Sequence, residues 1–508
     1  MKKNILFFAS VLFVGATATA QTTEFDAIRM AQTDIVGTAR YMGMAGAFGA
    51  LGGDVSSVKD NPAGLGIYRS SEITTTFNFS TQSTKSKWEG IGADDDLSKL
   101  GFNNFSYVTS FPTWNGQSGN NKGLLQSNWI FSYNRQKNFN RNARIKSGLI
   151  DDSLADYISD FTIGAGITAD AYADDKPYLE DLFYDDKLPW ITTLAVESGL
   201  IDTVSWLPEF ASRPTQVNYR SIERGCIDEY SLAWGGNFSN KFYLGVGLNV
   251  SSINYEQTRT FIEDYTTSPE PTLTTGSTLL TTGIGINMNI GLIFRPINEL
   301  RLGLSYKTPT VYIMTDELSN VYMDMVKSPI YATTDYELRI PGKLNVSAAY
   351  VLGRKAILST ELVSTNYRKT RIYENRGSNY FDDNNHSLKS NAKRGYLLKA
   401  GGEYRLTDQI SLRAGYAFET AIQNENMGKL LQYNTTRVDP EFFIHKGASY
   451  LTAGLGYRGN NWYLDGAFVN KNMKQDFMPY RKDPDAVFKA AKVTTRNYDV
   501  IATIGLRF

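Results

Sequence analysis

From Ile227 to Phe508 the chain is a succession of segments that alternate apolar and polar residues, joined by connections that are short, then long, then short again. Alternation of period two suits strands with one face in an apolar medium and the other in water. The short-long rhythm suits an up-and-down barrel in a bacterial outer membrane, with tight turns in the periplasm and larger loops outside. In the last segment Tyr498, Val500, Ala502, Ile504, Leu506 and Phe508 share one face, while Asp499, Thr503, Gly505 and Arg507 share the other, with Ile501 the exception. Leu244, Val246, Leu248 and Val250 likewise oppose Gly245, Gly247, Asn249 and Ser251, and Leu412, Ala414, Tyr416 and Phe418 repeat the pattern around Arg413.

The chain reads as fourteen strands, the first three near Ser71 to Thr81, Gly101 to Phe111 and Ser127 to Gln136, the fourth Ile227 to Phe238 and the last Arg496 to Phe508. An even count returns both ends to one side. Ser239-Asn240, Ile297-Asn298, Gly353-Arg354, Thr407-Asp408 and Gly459-Asn460 are rich in turn formers and belong at the periplasmic rim. The segments Glu263 to Thr275, Asp316 to Thr334, Glu374 to Lys393, Ala421 to Gly447 and Asn472 to Thr495 are then extracellular loops. The resulting fold class is all-β, a 14-stranded antiparallel transmembrane β-barrel with an N-terminal hatch in its lumen and a long, partly helical extracellular loop.

Composition alone does not reveal this. A mean hydropathy of −0.31 and a net charge of zero fit a soluble enzyme equally well, but a barrel also averages out, because every second strand residue faces a polar lumen. The balanced charge gives no reason to expect nucleic acid. Residues 1–20 have the form of a secretory signal peptide: Lys2 and Lys3, an apolar run from Ile5 to Val14, and Ala18-Thr19-Ala20 before Gln21. The expected location is the outer membrane of a Gram-negative cell. The lone Cys226 has no partner for an intramolecular disulfide and suits a buried or loop-side position better than catalysis.

Two segments do not fit the strand pattern. Residues 21–70 precede the barrel (71–508) and contain a Gly/Ala-rich stretch unsuited to a lipid-facing strand. A fourteen-stranded cylinder is wide enough to leak unless something fills it, and this segment is the natural plug. The second exception, residues 137–226, carries helical stripes: Ile150, Leu154, Tyr157, Ile158 and Phe161, then Leu179, Leu182 and Phe183, then Leu188, Ile191 and Leu194. These stripes either form a ligand-capture surface above the barrel mouth, with Leu154, Tyr157, Ile158, Phe161, Leu179, Leu182 and Phe183 as its residues, or pack on each other as the core of a lid.

Within the plug, Arg40, Gly43, Met44, Gly46, Ala47 and Phe48 are followed by Asp54 and then by Asn61-Pro62-Ala63-Gly64-Leu65. This stretch resembles the N-terminal hatch of the FadL-type family of outer-membrane transporters for fatty acids and other hydrophobic compounds, in which an R-x-x-G-M-x-G-A-F-type run precedes an N-P-A tripeptide. The match covers Gly37 to Gly66 closely and the rest of the chain only through strand count and the terminal Phe508. It implies passive uptake of hydrophobic small molecules, with Arg40, Gly43, Met44, Gly46, Phe48, Asn61, Pro62, Ala63 and Gly64 acting in the hatch, which shifts when ligand binds and releases it sideways through the wall. On spacing alone Asn61-Pro62 reads as a turn before the first strand, and the Gly-rich run and signal peptide beside it favour the hatch instead. The implied partners are a hydrophobic ligand, outer-membrane lipids and the barrel-assembly machinery through the strand ending in Phe508, with the protein a monomer and without a cofactor. Alternatives are a docking or shuttle barrel of a type IX-like protein secretion system, whose plug would fill the lumen permanently, and an aqueous porin.

Enzyme chemistry finds little support. His386 and His445 fall in expected loops without metal-ligand spacing, and the glycine-rich run from Gly283 lies inside an alternating strand with no helix after it. By parity Arg301, Lys307, Lys399, Glu403, Arg413, Asp465, Asp499 and Arg507 point into the lumen, and their mixed signs suit salt bridges that hold a plug rather than an ion-selective pore. Gly235-Gly236 marks a candidate kink where the wall could open.

Overall fold

Alternating strands that leave no free edge must close on themselves, and they do. The computed structural model describes residues 22–119, 122–168, 179–185, 187–208, 215–265, 272–353, 355–374, 380–433, 435–480 and 489–508, so the signal-peptide segment lies outside the described residues. Fourteen antiparallel staves follow each other in chain order. They are β1 (Glu72–Trp88), β2 (Ile91–Pro112), β3 (Leu124–Asn138, continued by Arg141–Lys146), β4 (Thr215–Phe238), β5 (Phe242–Tyr265), β6 (Leu273–Phe294) and β7 (Leu300–Lys307 with Thr310–Met323). The circuit continues through β8 (Ala332–Ile340 with Lys343–Leu352), β9 (Ala356–Asn366 with Arg371–Glu374), β10 (Arg394–Arg405), β11 (Ile410–Glu419), β12 (Phe442–Arg458), β13 (Trp462–Met478) and β14 (Ala491–Arg507). The seam joins β1 to β14, from Glu72 opposite Arg507 to Lys87 opposite Lys492.

The outward positions form an apolar belt that only lipid can cover. Leu248, Ile286, Tyr416, Leu451 and Val500 are all exposed, whereas their inward neighbours Asn249, Asn287 and Thr452 are buried. A monomeric soluble protein does not present such a belt around its whole circumference, and among the described residues no helix is long and apolar enough to cross a membrane. Ile501, the one break in the alternation of β14, is buried and packs in the cluster that contains Ala39, Met42 and Phe48 of the hatch segment. Its apolar side chain faces inward because the bore there is filled with protein.

The strands run further than the alternation indicates. β1 continues from Thr81 to Trp88, and β2 begins at Ile91 rather than Gly101. The expected loops 263–275, 316–334 and 472–495 are partly strand, and 215–226, assigned to the insertion, belongs to β4. Above the hydrocarbon layer both faces of a strand meet water, so the period-two signal vanishes while the backbone ladder persists. There Lys85 stands opposite Asp94. His445 is consequently not a loop residue but a buried position on β12, paired across to Gln475, whereas His386 lies exposed on the helix Asp382–Asn391. The turn Ser239-Asn240 has φ of 56° and 55° at its two residues, the geometry of a tight primed hairpin. The longer connection after β2, with one helical turn at Trp114–Gln117, lies on the same side, where Gly123 N–H donates to Ser239 Oγ at 3.0 Å.

A charge placed on the outer belt tests this orientation. Leu248→Arg should destabilise the folded barrel in lipid vesicles by about 2–4 kcal/mol, the cost of a cation near the bilayer midplane. A polar substitution at the adjacent inward Asn249 should escape this lipid penalty, with denaturant unfolding in vesicles as the readout.

Candidate functional site

The bore is occupied from end to end by residues 22–70. Its upper part is α1 (Glu24–Ala31), opened by a reciprocal cap in which Thr23 and Asp26 bond each other's backbone and side chain. Asp26 binds Arg437 at 3.0 Å, Glu24 accepts hydrogen bonds from Asn384 Nδ2 at 2.7 Å and Leu430 N–H at 2.8 Å, and Phe25 packs on Phe442. α1 therefore closes the extracellular mouth from inside, held by loop residues. Arg437 in turn is paired with Asp439, which Lys429 also contacts at 2.7 Å, so the seal is a buried ionic network.

Below it lies the hatch core. α2 (Ala39–Gly43) starts at Thr38, whose Oγ accepts from Tyr41 N–H at 3.1 Å. A short 3-10 helix, Val55–Lys59, is capped by Asp54, and a second, Pro62–Ile67, is capped by Asn61, whose Oδ1 accepts from Ala63 N–H at 3.1 Å. Asn61-Pro62 is thus the start of a helical turn, with proline where its missing N–H costs nothing. The other end of Asn61 donates to Gly49 O at 2.6 Å, tying the two halves of the hatch together.

Irregular backbone in a bore must have its polar groups satisfied by the wall. Ala39 N–H donates to Thr503 Oγ1 (2.7 Å), Thr452 Oγ1 to Gly43 O (3.0 Å), Asn289 Nδ2 to Val58 O (2.9 Å), Asn128 Nδ2 to Leu65 O (2.7 Å) and Arg301 to Leu51 O (2.7 Å). Each donor or acceptor comes from a different stave. The charges complete the lock. Arg40 forks onto Glu403 at 2.9 and 3.2 Å, Glu403 also takes Arg413 at 2.7 Å, and Arg413 reaches Asp465 at 2.6 Å. Higher on the stave of Glu403, Lys399 joins Glu361 of β9 (2.8 Å) and Asp60 (3.3 Å), while the second Glu361 oxygen accepts Gly49 N–H at 2.7 Å.

Close approach is made possible by glycines on the wall. An added methyl at Gly245 would overlap the Pro62 carbonyl, at Gly401 or Gly415 it would run into Met44, and at Gly454 it would press on the Gly43 Cα at 3.3 Å. Gly235 serves the same purpose against Leu65 and Gly66, whereas a methyl at Gly236 would meet Trp234 and Leu124, and both are paired on two sides, so the ladder is unbroken there. Of the expected hatch residues, Met44, Phe48, Asn61, Pro62, Ala63 and Gly64 are buried inside the bore. Gly43 sits against β12, and Gly46 adopts the left-handed φ of 72° beside the Tyr41 ring.

The backbone ladder of the wall is interrupted elsewhere. β2 and β3 pair only from Asn104–Asn134 down to Pro112–Gln126. Above that point β2 stays paired with β1, while β3 kinks at Phe139-Asn140, turns Phe139 against Tyr255 (ring centroids 4.9 Å) and resumes as a partner of β4. Among the described residues no backbone ladder spans Ala93–Phe102 of β2 and Arg135–Lys146 of β3. Only side chains bridge them, Asn142 to Asp95 at 3.2 Å and Lys99 to Asn140 at 2.9 Å. Behind the kink is a polar cavity of about 90 Å³, lined by Arg29, Asp34, Lys137, Arg141, Glu223 and Lys471 among others. Lys137 donates to Arg29 O at 2.7 Å and Gln32 Oε1 at 3.2 Å, both uncharged.

The helical stripes of the long insertion face inward. Leu154 and Ile158 of α3 (Leu154–Gly164), Leu182 and Phe183 of α4 (Leu179–Tyr184), and Ile191 and Leu194 of α5 (Trp190–Glu197) are buried, and all but Leu182 belong to one cluster with Phe25 and Ile28 of α1. Tyr157 and Phe161 stay half-buried at its edge, and the Leu179 side chain lies outside the described residues. Cys226 is half-buried, its thiol donating to Asp228 at 3.3 Å. Sequence reasoning missed α1 as a separate upper stopper, although its T-x-x-D cap before an amphipathic run was a readable sign. It also missed Glu361, inward by parity but not singled out.

No protein-family model matches this chain, and no curated protein matches it in sequence. In fold it is similar to the crystal structure of a Pseudomonas aeruginosa FadL homologue, with a TM-score of 0.56, 12% identity, and 94% of this chain and 99% of that one covered. A TodX monoaromatic hydrocarbon channel variant gives a TM-score of 0.51 at 10% identity over 93% of this chain and 99% of that one. The CymD monoaromatic hydrocarbon channel gives 0.50 at 10% identity over 93% and 97%. The fold and the filled bore define a plugged fourteen-stranded transmembrane barrel, and that barrel has the fold of these channels.

Two predictions follow from the seat of the plug. Gly245→Ala should lift the Pro62 turn off its wall, giving a higher single-channel conductance in planar bilayers while the barrel keeps its heat-modifiable mobility on gels. Burial pushes the Glu24 carboxyl up to about 7, opposed chiefly by its hydrogen bond from Asn384. An acid whose docked-state value is raised favours docking at low pH, fully below its free value near 4.5, and loses that contribution as pH rises through about 7. Protease cleavage within α1 should therefore increase between pH 5 and 8, and Glu24→Gln should flatten that dependence.

Proposed function

We propose that the protein is a passive outer-membrane transporter that takes up hydrophobic small molecules, long-chain fatty acids or similar lipophiles, as a FadL-type channel. The observation that carries this reading is the unladdered stretch of wall between β2 and β3, backed by a cavity and by a plug that fills the rest of the bore. The lower end of that stretch, where Phe102 stacks on Tyr133 with centroids 5.4 Å apart, borders the apolar belt, so a solute that leaves there enters lipid and never crosses the polar periplasmic end. It gains about 25 cal/mol for each Å² of apolar surface removed from water, so no energy-coupling step is required.

The chemistry of the cavity supports an amphipathic ligand. Its lining mixes Arg29, Lys137, Arg141 and Lys471 with Asp34, Glu223 and Glu419; Lys471 is paired with Asp34 and Arg141 with Glu223, whereas among the described residues Lys137 donates to the uncharged Arg29 and Gln32 oxygens, which suits a carboxylate head whose chain extends through the gap. At about 90 Å³ the cavity is well below the ~300 Å³ of an ordinary ligand site. The hatch therefore moves for passage, and the Asn61-Pro62-Ala63 turn with Arg40 is its pivot. Tyr157 and Phe161, at the edge of the lid core, are the capture residues most accessible from outside. Catalysis plays no part in this reading. The protein acts as a monomer inserted by the barrel-assembly machinery through its strand ending in Phe508.

A filled bore also suits a docking barrel for secreted proteins, whose plug never moves, so the test must ask whether the gap carries solute. Asp95→Cys with Asn142→Cys, in a Cys226→Ser background, should form a disulfide across the gap. Uptake of a labelled fatty acid by cells should fall to background when it is oxidised and recover on reduction. Uptake that ignores the redox state would overturn the lateral route.

A further inference from the structure

Asp316 of β7 faces the bore beside the start of α1 and is completely buried. Its Oδ1 accepts from Thr281 Oγ1 of β6 at 2.6 Å and from the Tyr336 hydroxyl of β8 at 3.2 Å. Among the described residues its Oδ2 has no hydrogen-bond partner. The charges that act on it are those of Asp26 and Arg437, and Arg437 is already shared between Asp26 (3.0 Å) and Asp439 (2.5 Å). A carboxylate taken out of water with an oxygen unsatisfied is strongly disfavoured unless a cation reaches it.

The chain that lies against this carboxylate is the beginning of the plug. Thr22 is 4% exposed, and its side chain lies beside the Tyr336 hydroxyl. Thr23 N–H donates to Asp26 Oδ2 at 3.1 Å, which fixes the direction in which the chain enters α1. The signal-peptide pattern puts the cut between Ala20 and Gln21, one residue before Thr22. Consecutive Cα atoms are about 3.8 Å apart, so the nitrogen freed by that cut stays within reach of the Asp316 side chain. Before the cut this nitrogen is a neutral amide. Water then adds across the C–N bond, leaving a carboxylate on Ala20 and an amine on Gln21 that takes up a proton.

We propose that the α-ammonium group of Gln21, freed when the leader is removed, is the counter-ion of Asp316 and locks α1 in the extracellular mouth. The inference rests on the signal-peptide reading and is independent of what the barrel carries. It makes closure of the mouth conditional on processing. A chain that keeps its leader offers Asp316 no charge, and the leader would have to leave through a mouth that α1 and the lid helices cover. The pair also protects the terminus. An N-terminal glutamine cyclises when its amine lone pair attacks the side-chain carboxamide and expels ammonia, and an ammonium held by a carboxylate has no lone pair to offer.

The intact mass of the mature protein, purified in detergent, should match a chain that begins at Gln21 with its terminus uncyclised. A chain that begins elsewhere overturns the cleavage reading and the proposal with it, whereas a chain that begins at Gln21 but has lost ammonia overturns the ion pair alone. An amine-acylating reagent and trypsin, which can cut α1 after Arg29, then probe the seat. Asp316→Asn should raise both labelling of the terminus and cleavage in α1 by about tenfold, a conservative reading of what breaking a buried pair costs. Asp335→Asn, exposed on β8, should match the unaltered protein. Should Asp316→Asn fail to fold, the natural sequence carries the same test: Gln21 is cyclised in the unfolded chain with a glutaminyl cyclase and the barrel is refolded. α1 should then be cut about tenfold faster than in the uncyclised chain, and where both changes can be combined the second should add nothing to the first. Cleavage that cyclisation leaves unchanged overturns the pairing.

Discussion

The structure rests on the contact between a plug of short helices joined by irregular backbone and a wall that was shaped for it. A chain segment with little regular structure can sit inside a membrane barrel only if its carbonyls and amides find partners, because an unsatisfied buried peptide group costs on the order of 1–3 kcal/mol. Here the partners are Asn128, Asn289, Arg301, Thr452 and Thr503, spread over five staves. Glycines at 245, 401, 415 and 454 remove the side chains that would keep the plug away. The wall's inner face is therefore specific for this plug, and its alternation of small and polar residues reflects that fit as much as the needs of a lumen.

Charge gives the seat its rigidity and its cost. Arg40, Glu403, Arg413 and Asp465 form one chain of ion pairs, and Asp60, Lys399 and Glu361 another. Buried ion pairs contribute little net stability but are costly to break singly. They hold a plug in one position rather than merely in the bore.

The break in the ladder between β2 and β3 lies away from these networks and beside the polar cavity. β3 turns inward at Phe139-Asn140, and the strand that should have covered Ala93–Phe102 of β2 instead pairs with β4. Within the belt the neighbouring staves stay paired, whereas higher up Phe442–Gly447 of β12 and Arg371–Glu374 of β9 are also paired on one side only. The lid helices above share a core with α1 and cover the extracellular mouth.

Strand number, inside-outside parity, the turns at 239–240 and 407–408 and the plug around Asn61 were all legible in the residues. Each depends on a local rule: period-two burial, turn chemistry, or the misfit of a Gly/Ala-rich run with lipid. The upper strand ends were not legible, because pairing continues where both faces are wet and no hydrophobic contrast marks it. His445 was misplaced for that reason, and Ile501 looked anomalous until a plug stood behind it. By itself the sequence determined a barrel with one oily face and something to fill it. Only the tertiary structure decided where the ladder of the wall breaks, which glycines are seats rather than kinks, and that the helical stripes of the insertion close onto α1, since each depends on which distant segments meet, and no local pattern encodes that.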